Sequence, residues 1–230
     1  MSKSVNYKIG EREKAALRVT RVFRGLPEDE FEAVLQHGLA RGVRYSKGST
    51  IAEAESRRGE FMIILSGRIQ GVREQEGGSQ DFVQLFVPGE ICGLDIVCSA
   101  TRRCPFRLQA LDETDLVCID YDAMLSGMIS SNAEKKLREG VCQALANESL
   151  RRLHKIDVLY RRALRDRVCV YLRNLKILSG SDSVETNMDR EQFAQYLGVN
   201  RSALSSELSK MRADGLIDFR KGSFTLLKEL

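Results

Sequence analysis

Hydrophobic and polar positions change period twice along this 230-residue chain. Residues 11–41 carry a helical pattern. Leu26 leads into PEDEFEAVLQHG, with Pro27 at an early helical position, acids in the first turn and Gly38 as the closing residue. From about 42 to 121, short alternating segments (TIAEA, FMIILSGRIQGV, DFVQLFV, FRLQALD, DLVCIDY) are separated by glycines and turn residues, which predicts a compact antiparallel barrel or sandwich. From about 123 the period becomes helical, and residues 132–178 contain no proline and no glycine other than Gly140. Leu137, Val141 and Leu145, then Leu150, Leu153 and Ile156, form an apolar stripe. One small barrel cannot bury so long a helix along its whole length, so a partner helix in a homodimer is the economical solution. An ordinary interdomain helix is the alternative. A break is expected near 157–164.

Residues 178–188, LSGSDSVETNM, form a turn-rich connection with room for a short strand. Residues 188–227 then read as helix, tight turn, second helix and a two-stranded hairpin, the outline of a winged helix-turn-helix, a device for reading duplex DNA. Asp189 is the expected N-cap of the first helix, with Gln192 completing a capping box. Phe193, Ala194 and Leu197 form its inner face, and Gly198 permits the sharp turn. Asn200 caps the second helix, whose Leu204, Leu208 and Met211 face inward. That leaves Arg201, Ser202, Ser205, Ser206 and Ser209 on other faces. Arg201 can grip guanine with two hydrogen bonds or anchor a phosphate. With one strong charged reader at the helix start, part of any specificity falls to DNA shape or bending. Gly215 ends the helical part, and the hairpin turns at Arg220-Lys221-Gly222, a basic tip suited to the DNA backbone. A winged helix used only for protein contacts is the alternative.

Charge sharpens this division. Residues 1–150 hold 20 basic and 22 acidic side chains, whereas residues 151–230 hold 16 and 10. A balanced front and a basic back suggest a regulatory body joined to a polyanion-binding end; a solubilising charge run is the bland alternative. No run of eighteen apolar residues exists and the first residues lack an apolar signal segment, so a cytoplasmic protein without a membrane partner is expected. The six cysteines, at 92, 98, 104, 118, 142 and 169, form no CxxC pair, and buried free thiols are the default. The 92/98/104 spacing is too wide for a standard zinc knuckle or ferredoxin loop, and on one straight strand each step of six would span about 20 Å. Only His37 and His154 are present, which excludes a histidine-rich metal site. No metal site and no catalytic constellation is predicted, so the chain is not expected to be an enzyme.

These stretches, with KGSTIAEAES and LFVPGEICGLDIV, resemble the Crp/Fnr family of bacterial transcription regulators over nearly the whole length. The resemblance implies an α+β fold: an N-terminal double-stranded β-helix (a jelly roll like the cyclic-nucleotide-binding domain) with flanking helices over 1–125, a dimerisation helix over 126–163, and a C-terminal winged helix-turn-helix over 164–230. It implies a homodimer on near-palindromic double-stranded DNA that recruits or obstructs RNA polymerase, switched by a small-molecule effector or a redox event not identified by the sequence. Residues expected at the DNA are Asn200, Arg201, Ser202, Ser205, Ser206, Arg220 and Lys221. Ser202 and Ser206 stand where the family commonly has glutamate and arginine, so the half-site should differ. Members that bind cyclic AMP have a glutamate after the glycine and an Arg-Ser pair further on. Here Gly93 precedes Leu94 and Asp95, and the pair falls near Cys104-Pro105, which argues against cyclic AMP. Arg102, Arg103 and Arg107 could grasp a phosphate or form a solvated loop. The effector-facing segment is 91–107, with Cys92, Leu94, Asp95, Arg102, Arg103, Cys104 and Arg107 as candidates. The stretch resembles the oxygen-sensing Fnr branch, but no cysteine precedes 92, which argues against that branch's iron–sulphur cluster. A cluster on Cys92, Cys98 and Cys104 stays open, as does haem with His154 or a cysteine as ligand. The alternatives are a constitutive, ligand-free DNA-binding regulator and a signalling protein acting mainly through protein contacts.

Overall fold

The computed structural model describes residues 4–36, 40–75, 78–126 and 130–229. His37 and the expected closing Gly38 lie outside them. The chain divides into two compact units, Met1–Asn147 and Glu148–Leu230. Among the described residues, no helix is long and apolar enough to cross a membrane.

The front unit begins with β1 (Ser4–Tyr7), α1 (Glu11–Arg18) and α2 (Glu28–Val34). The roll follows: β2 (Ala40–Tyr45), β3 (Thr50–Ala52), β4 (Glu60–Ser66), β5 (Ile69–Glu74), β6 (Gln80–Phe86), β7 (Ile91–Cys92), the short α3 (Leu94–Val97), β8 (Arg107–Ala110) and β9 (Thr114–Asp120). After α4 (Tyr121–Met124), α5 (Ser131–Tyr160) carries the chain into the back unit. The strands form two antiparallel sheets, ordered β1-β2-β9-β4-β7 and β3-β8-β5-β6. The alternating segments predict this compact antiparallel packing, and the resemblance implies its β-roll form.

Strands β4 and β9 read as unbroken apolar runs because both of their faces are covered. Phe61, Ile63, Val117 and Ile119 join a cluster with Leu17, Phe31, Leu137 and Val141 of α1, α2 and α5. The alternate residues Met62, Ile64, Leu116 and Cys118 join Ile51, Ile69, Phe86 and Leu108 in a second cluster. Gly140 brings α5 against the turn after α1. A Cβ there would meet the carbonyl oxygens of Arg21 at 2.5 Å and Val22 at 2.8 Å.

The helical pattern over 11–41 resolves into two helices, the second starting after Pro27 with acids in its first turn, as expected. Thr20 Oγ1 donates to the Leu17 carbonyl at 2.6 Å, Gly25 takes φ +83°, and Pro27 supplies no N–H, so the chain leaves the helix after Arg18 and re-enters at Glu28. Ala40 and Arg41 lie in strand β2, opposite Ile119 and Cys118, where sheet pairing outweighs local pattern. Strand β1, which the sequence pattern did not predict, adds an edge by pairing with β2.

The apolar stripe of α5 also needs correction. Leu137 and Val141 are buried in the protomer's own core, and Leu145 packs against that core. Leu137 and Val141 are therefore not a surface waiting for a partner helix. Leu150, Leu153 and Ile156 remain 53%, 56% and 60% exposed. The expected helix break falls between Tyr160 and Leu164.

The back unit continues with α6 (Leu164–Ser179), β10 (Ser183–Glu185), α7 (Arg190–Tyr196), α8 (Arg201–Ala213), β11 (Ile217–Arg220) and β12 (Ser223–Leu226). Its sheet is ordered β10-β12-β11. Val168, Leu172, Phe193, Leu197, Leu204, Leu208, Met211 and Phe224 are buried, and Phe193 links the Tyr171 and Phe224 rings at centroid distances of 5.1 and 5.8 Å.

Candidate nucleic-acid interface

The start of α7 is fixed by a reciprocal cap. Asp189 Oδ1 accepts from the Gln192 amide at 2.8 Å, and Gln192 Oε1 accepts from the Asp189 amide at 3.0 Å. The helix stops at Leu197 because Gly198 takes φ +69°. Asn200 then caps α8, its Oδ1 accepting from the Ala203 amide at 2.8 Å. Leu204, Leu208 and Met211 are buried at a spacing of four and three, which leaves Arg201, Ser202, Ser205, Ser206 and Ser209 exposed. The serines differ. Ser202 donates to Asn200 Oδ1 at 2.8 Å, so its hydroxyl reinforces the cap and offers lone pairs outward, while Ser209 donates to the Ser205 carbonyl at 2.9 Å.

The hairpin turn is also held. Lys221 takes φ +55°, and the Gly222 carbonyl accepts from the Thr186 amide at 3.0 Å. Arg190, at the first position of α7, donates to the Lys221 carbonyl at 3.1 Å. Its guanidinium lies 5.1 Å from the Phe219 centroid, and that of Arg212 lies 3.8 Å from the same ring. Burial, together with the neighbouring Arg201 and Arg212, pulls Arg190 below the usual guanidinium range. Arg212 pairs with Asp218 at 2.8 Å. Among the described residues, Arg190, Arg201, Arg220 and Lys221 have no carboxylate partner. The result is a face with several cations and few counter-charges, able to attract a polyanion and donate many hydrogen bonds.

Sequence reasoning missed Arg190 and Arg212. Their signal was available in part: Arg190 follows the capping Asp189, and Arg212 lies eleven residues, about three helical turns, after Arg201.

The candidate residues of segment 91–107 are spread over β7, α3, the loop that follows it and β8. Cys92 ends β7, Cys98 follows α3, and Cys104 precedes β8, so the three thiols do not share one strand. Cys92 and Cys104 are buried and Cys98 is exposed. Among the described residues, no group of three histidine, cysteine or carboxylate side chains is placed to hold a metal. Leu94 is buried, and α3 also carries Asp95. The three arginines diverge. Arg102 pairs with Asp122 at 2.5 Å, Arg103 donates to the Glu55 carbonyl at 2.9 Å, and Arg107 pairs with Glu74 at 2.7 Å. They form neither a single phosphate grip nor a merely solvated loop. The Phe106 ring lies so close to Gly71 that a Cβ there would meet it at 2.5 Å.

A family model described as a cyclic nucleotide-binding domain matches residues 42–131, and one described as a Crp-like helix-turn-helix domain matches residues 166–229. The nitrogen fixation regulation protein FixK of Bradyrhizobium diazoefficiens is 26% identical over 196 residues, covering 82% of this chain and 79% of that protein. Electron transport regulator A of Shewanella oneidensis is 24% identical over 189 residues, covering 79% and 72%. Among solved structures, FixK2 from Bradyrhizobium japonicum has a TM-score of 0.63 at 16% identity, covering 83% of this chain and 93% of that one; this likeness is one of fold. With the two domain matches in the order in which roll and winged helix occur, and relatives aligned across both, the chain belongs to the Crp/Fnr family of DNA-binding transcription regulators.

Proposed function

We propose that the chain acts as a cytoplasmic homodimer that reads near-palindromic duplex DNA with α8 and steadies itself on the phosphate backbone with the wing. The observation that carries this reading is Arg201: the exposed first residue of a helix capped by Asn200, without a carboxylate partner among the described residues and close to Arg190. Arg201 reads a base edge or the adjoining phosphate. Ser205 and Ser206 make weaker contacts, Asn200 and Ser202 hold the helix start, and Arg220 and Lys221 meet phosphates. The exposed Leu150, Leu153 and Ile156 of α5 form the dimer seam, and the dimer recruits or obstructs RNA polymerase. The work is binding rather than catalysis.

A specific observation favours a second element of this reading. Arg102, Arg103 and Arg107 are already engaged, which supports a roll that operates without a cyclic nucleotide held in the usual way. Control then falls to another effector, or the protein is constitutive.

Selection of bound duplexes from a random library, with and without small-molecule cell extract, tests both parts. A near-palindrome is expected, and Arg201→Ala should weaken binding to it by about 10- to 100-fold, corresponding to about 1–3 kcal/mol for a base-reading arginine. If Arg201→Ala binds the selected duplex as tightly as the parent, the assignment of α8 is wrong. An extract-dependent change in affinity supports an effector; no change supports the constitutive form.

A further inference from the structure

Arg167, on the first turn of α6, bonds to two joints of the back unit. Its Nε donates to the Arg161 carbonyl at 2.8 Å, and its Nη1 donates to the Leu197 carbonyl at 2.8 Å. Arg161 begins the connection that follows α5, and Leu197 is the C-cap of α7, immediately before the glycine that turns the chain into α8. Helix ends leave carbonyls without intrahelical partners, and a charged donor bonds them more strongly than a neutral one. One rigid, planar guanidinium therefore spans the joint by which the long helix enters the unit and the joint that aims the recognition helix.

Neighbouring contacts converge on the second joint. A Cβ at Gly198 would lie 3.6 Å from Arg167 Nη1 and 3.7 Å from Leu159 Cδ2. Lys155 of α5 stands over the Tyr196 ring at 4.8 Å. Residues 196, 197 and 198 are thus each approached by a side chain from α5 or α6. Both guanidinium bonds point to protein carbonyls, so this cation is engaged within the fold, whereas Arg201 is exposed and without a carboxylate partner among the described residues.

We propose that Arg167 is a positioning residue for DNA reading, setting the turn before α8 against the end of α5 without itself touching DNA. This rests on the assignment of α8 as the reading helix. Lysine is the informative replacement, because it keeps the charge but presents one compact ammonium in place of a fork that spans two acceptors.

The test uses the full chain and the duplex that the parent selects from a random library. Affinities of the parent and of Arg167→Lys are measured for that duplex and for a scrambled one, across a salt series, alongside amide hydrogen exchange. The expected result is about tenfold weaker binding to the selected duplex, with unchanged affinity for the scrambled duplex and an unchanged salt slope. Amides at Gly198–Arg201 should exchange faster, while those of Leu204, Leu208 and Met211 stay protected, showing an intact fold. Arg167→Gln, which reaches one carbonyl but not both, should show the same exchange pattern. Binding of Arg167→Lys to the selected duplex within twofold of the parent overturns the proposal, and so does equal weakening on both duplexes. A parent that selects no sequence overturns the assignment of α8 and this proposal with it.

Discussion

In the front unit, many arginines pair with carboxylates; in the back unit, several around α7, α8 and the wing do not. Arg41 pairs with Glu60, Arg44 with Asp115 and Arg68 with Asp112, each at 2.6 Å, while Arg102 and Arg107 pair with Asp122 and Glu74. Arg190, Arg201 and Arg220 have no such partner among the described residues. The back unit closes charges too, as Arg165 does with Glu207 and Asp214. The same side chain fastens strands to one another in one region and remains available to a ligand in the other. Helix α5 repeats the contrast in apolar form, with Leu137 and Val141 buried and Leu150, Leu153 and Ile156 exposed.

The largest effect should come from crossing that contrast on α5. Leu137→Ala removes a fully buried side chain and should cost about 2–5 kcal/mol of stability, leaving self-association of the folded chain intact. Leu153→Glu should change protomer stability by less than about 0.5 kcal/mol yet leave the chain monomeric at micromolar concentration. Denaturant titration and sedimentation separate the two. A Leu153→Glu chain that stays dimeric removes this part of α5 from the seam.

The next largest effect concerns the arginines. Arg190→Ala with Arg201→Ala should weaken duplex binding and lower the slope of log affinity against log salt by about one for each phosphate no longer neutralised. Arg102→Ala with Arg107→Ala, in the roll, should leave the slope unchanged. Equal slopes for the two double variants would show that an open or closed charge makes no difference to binding.

The elements governed by short-range chemistry were legible in the sequence: the Asp189 and Asn200 caps, the Gly198 turn, the helix break after Tyr160 and the wing hairpin all require particular residues at particular positions. What depended on distant partners was not. The engagement of Arg102, Arg103 and Arg107 turns on Asp122, Glu55 and Glu74, which lie 20 to 48 residues away or across a strand pair. Leu137 and Leu153 belong to one periodic stripe, and only the roll packed against its first half tells them apart. Arg190 meets the wing only because the hairpin brings the Lys221 carbonyl and the Phe219 ring to it.

The smallest predicted effect is acid sensitivity of the closed charges. The Arg44 guanidinium bonded to Asp115 and the Arg68 guanidinium bonded to Asp112 hold both carboxyls below the usual aspartate range. A carboxyl with a lowered folded-state pKa adds stability that is fully present above its ordinary value, about 4, and is lost as pH falls through the lowered one. Arg44 is 53% exposed and Asp115 23% exposed, so solvent screening limits the pair to about 1 kcal/mol or less. Arg44→Met should therefore lower stability at neutral pH by that amount and flatten its decline on the acid side, with the parent and variant curves meeting once Asp115 is protonated in both. Denaturant titrations from pH 7 to pH 2 measure this directly. Parallel curves over that range would mean that Asp115 gains nothing from Arg44, and that counting a charge as closed by its geometry overstates what the closure does.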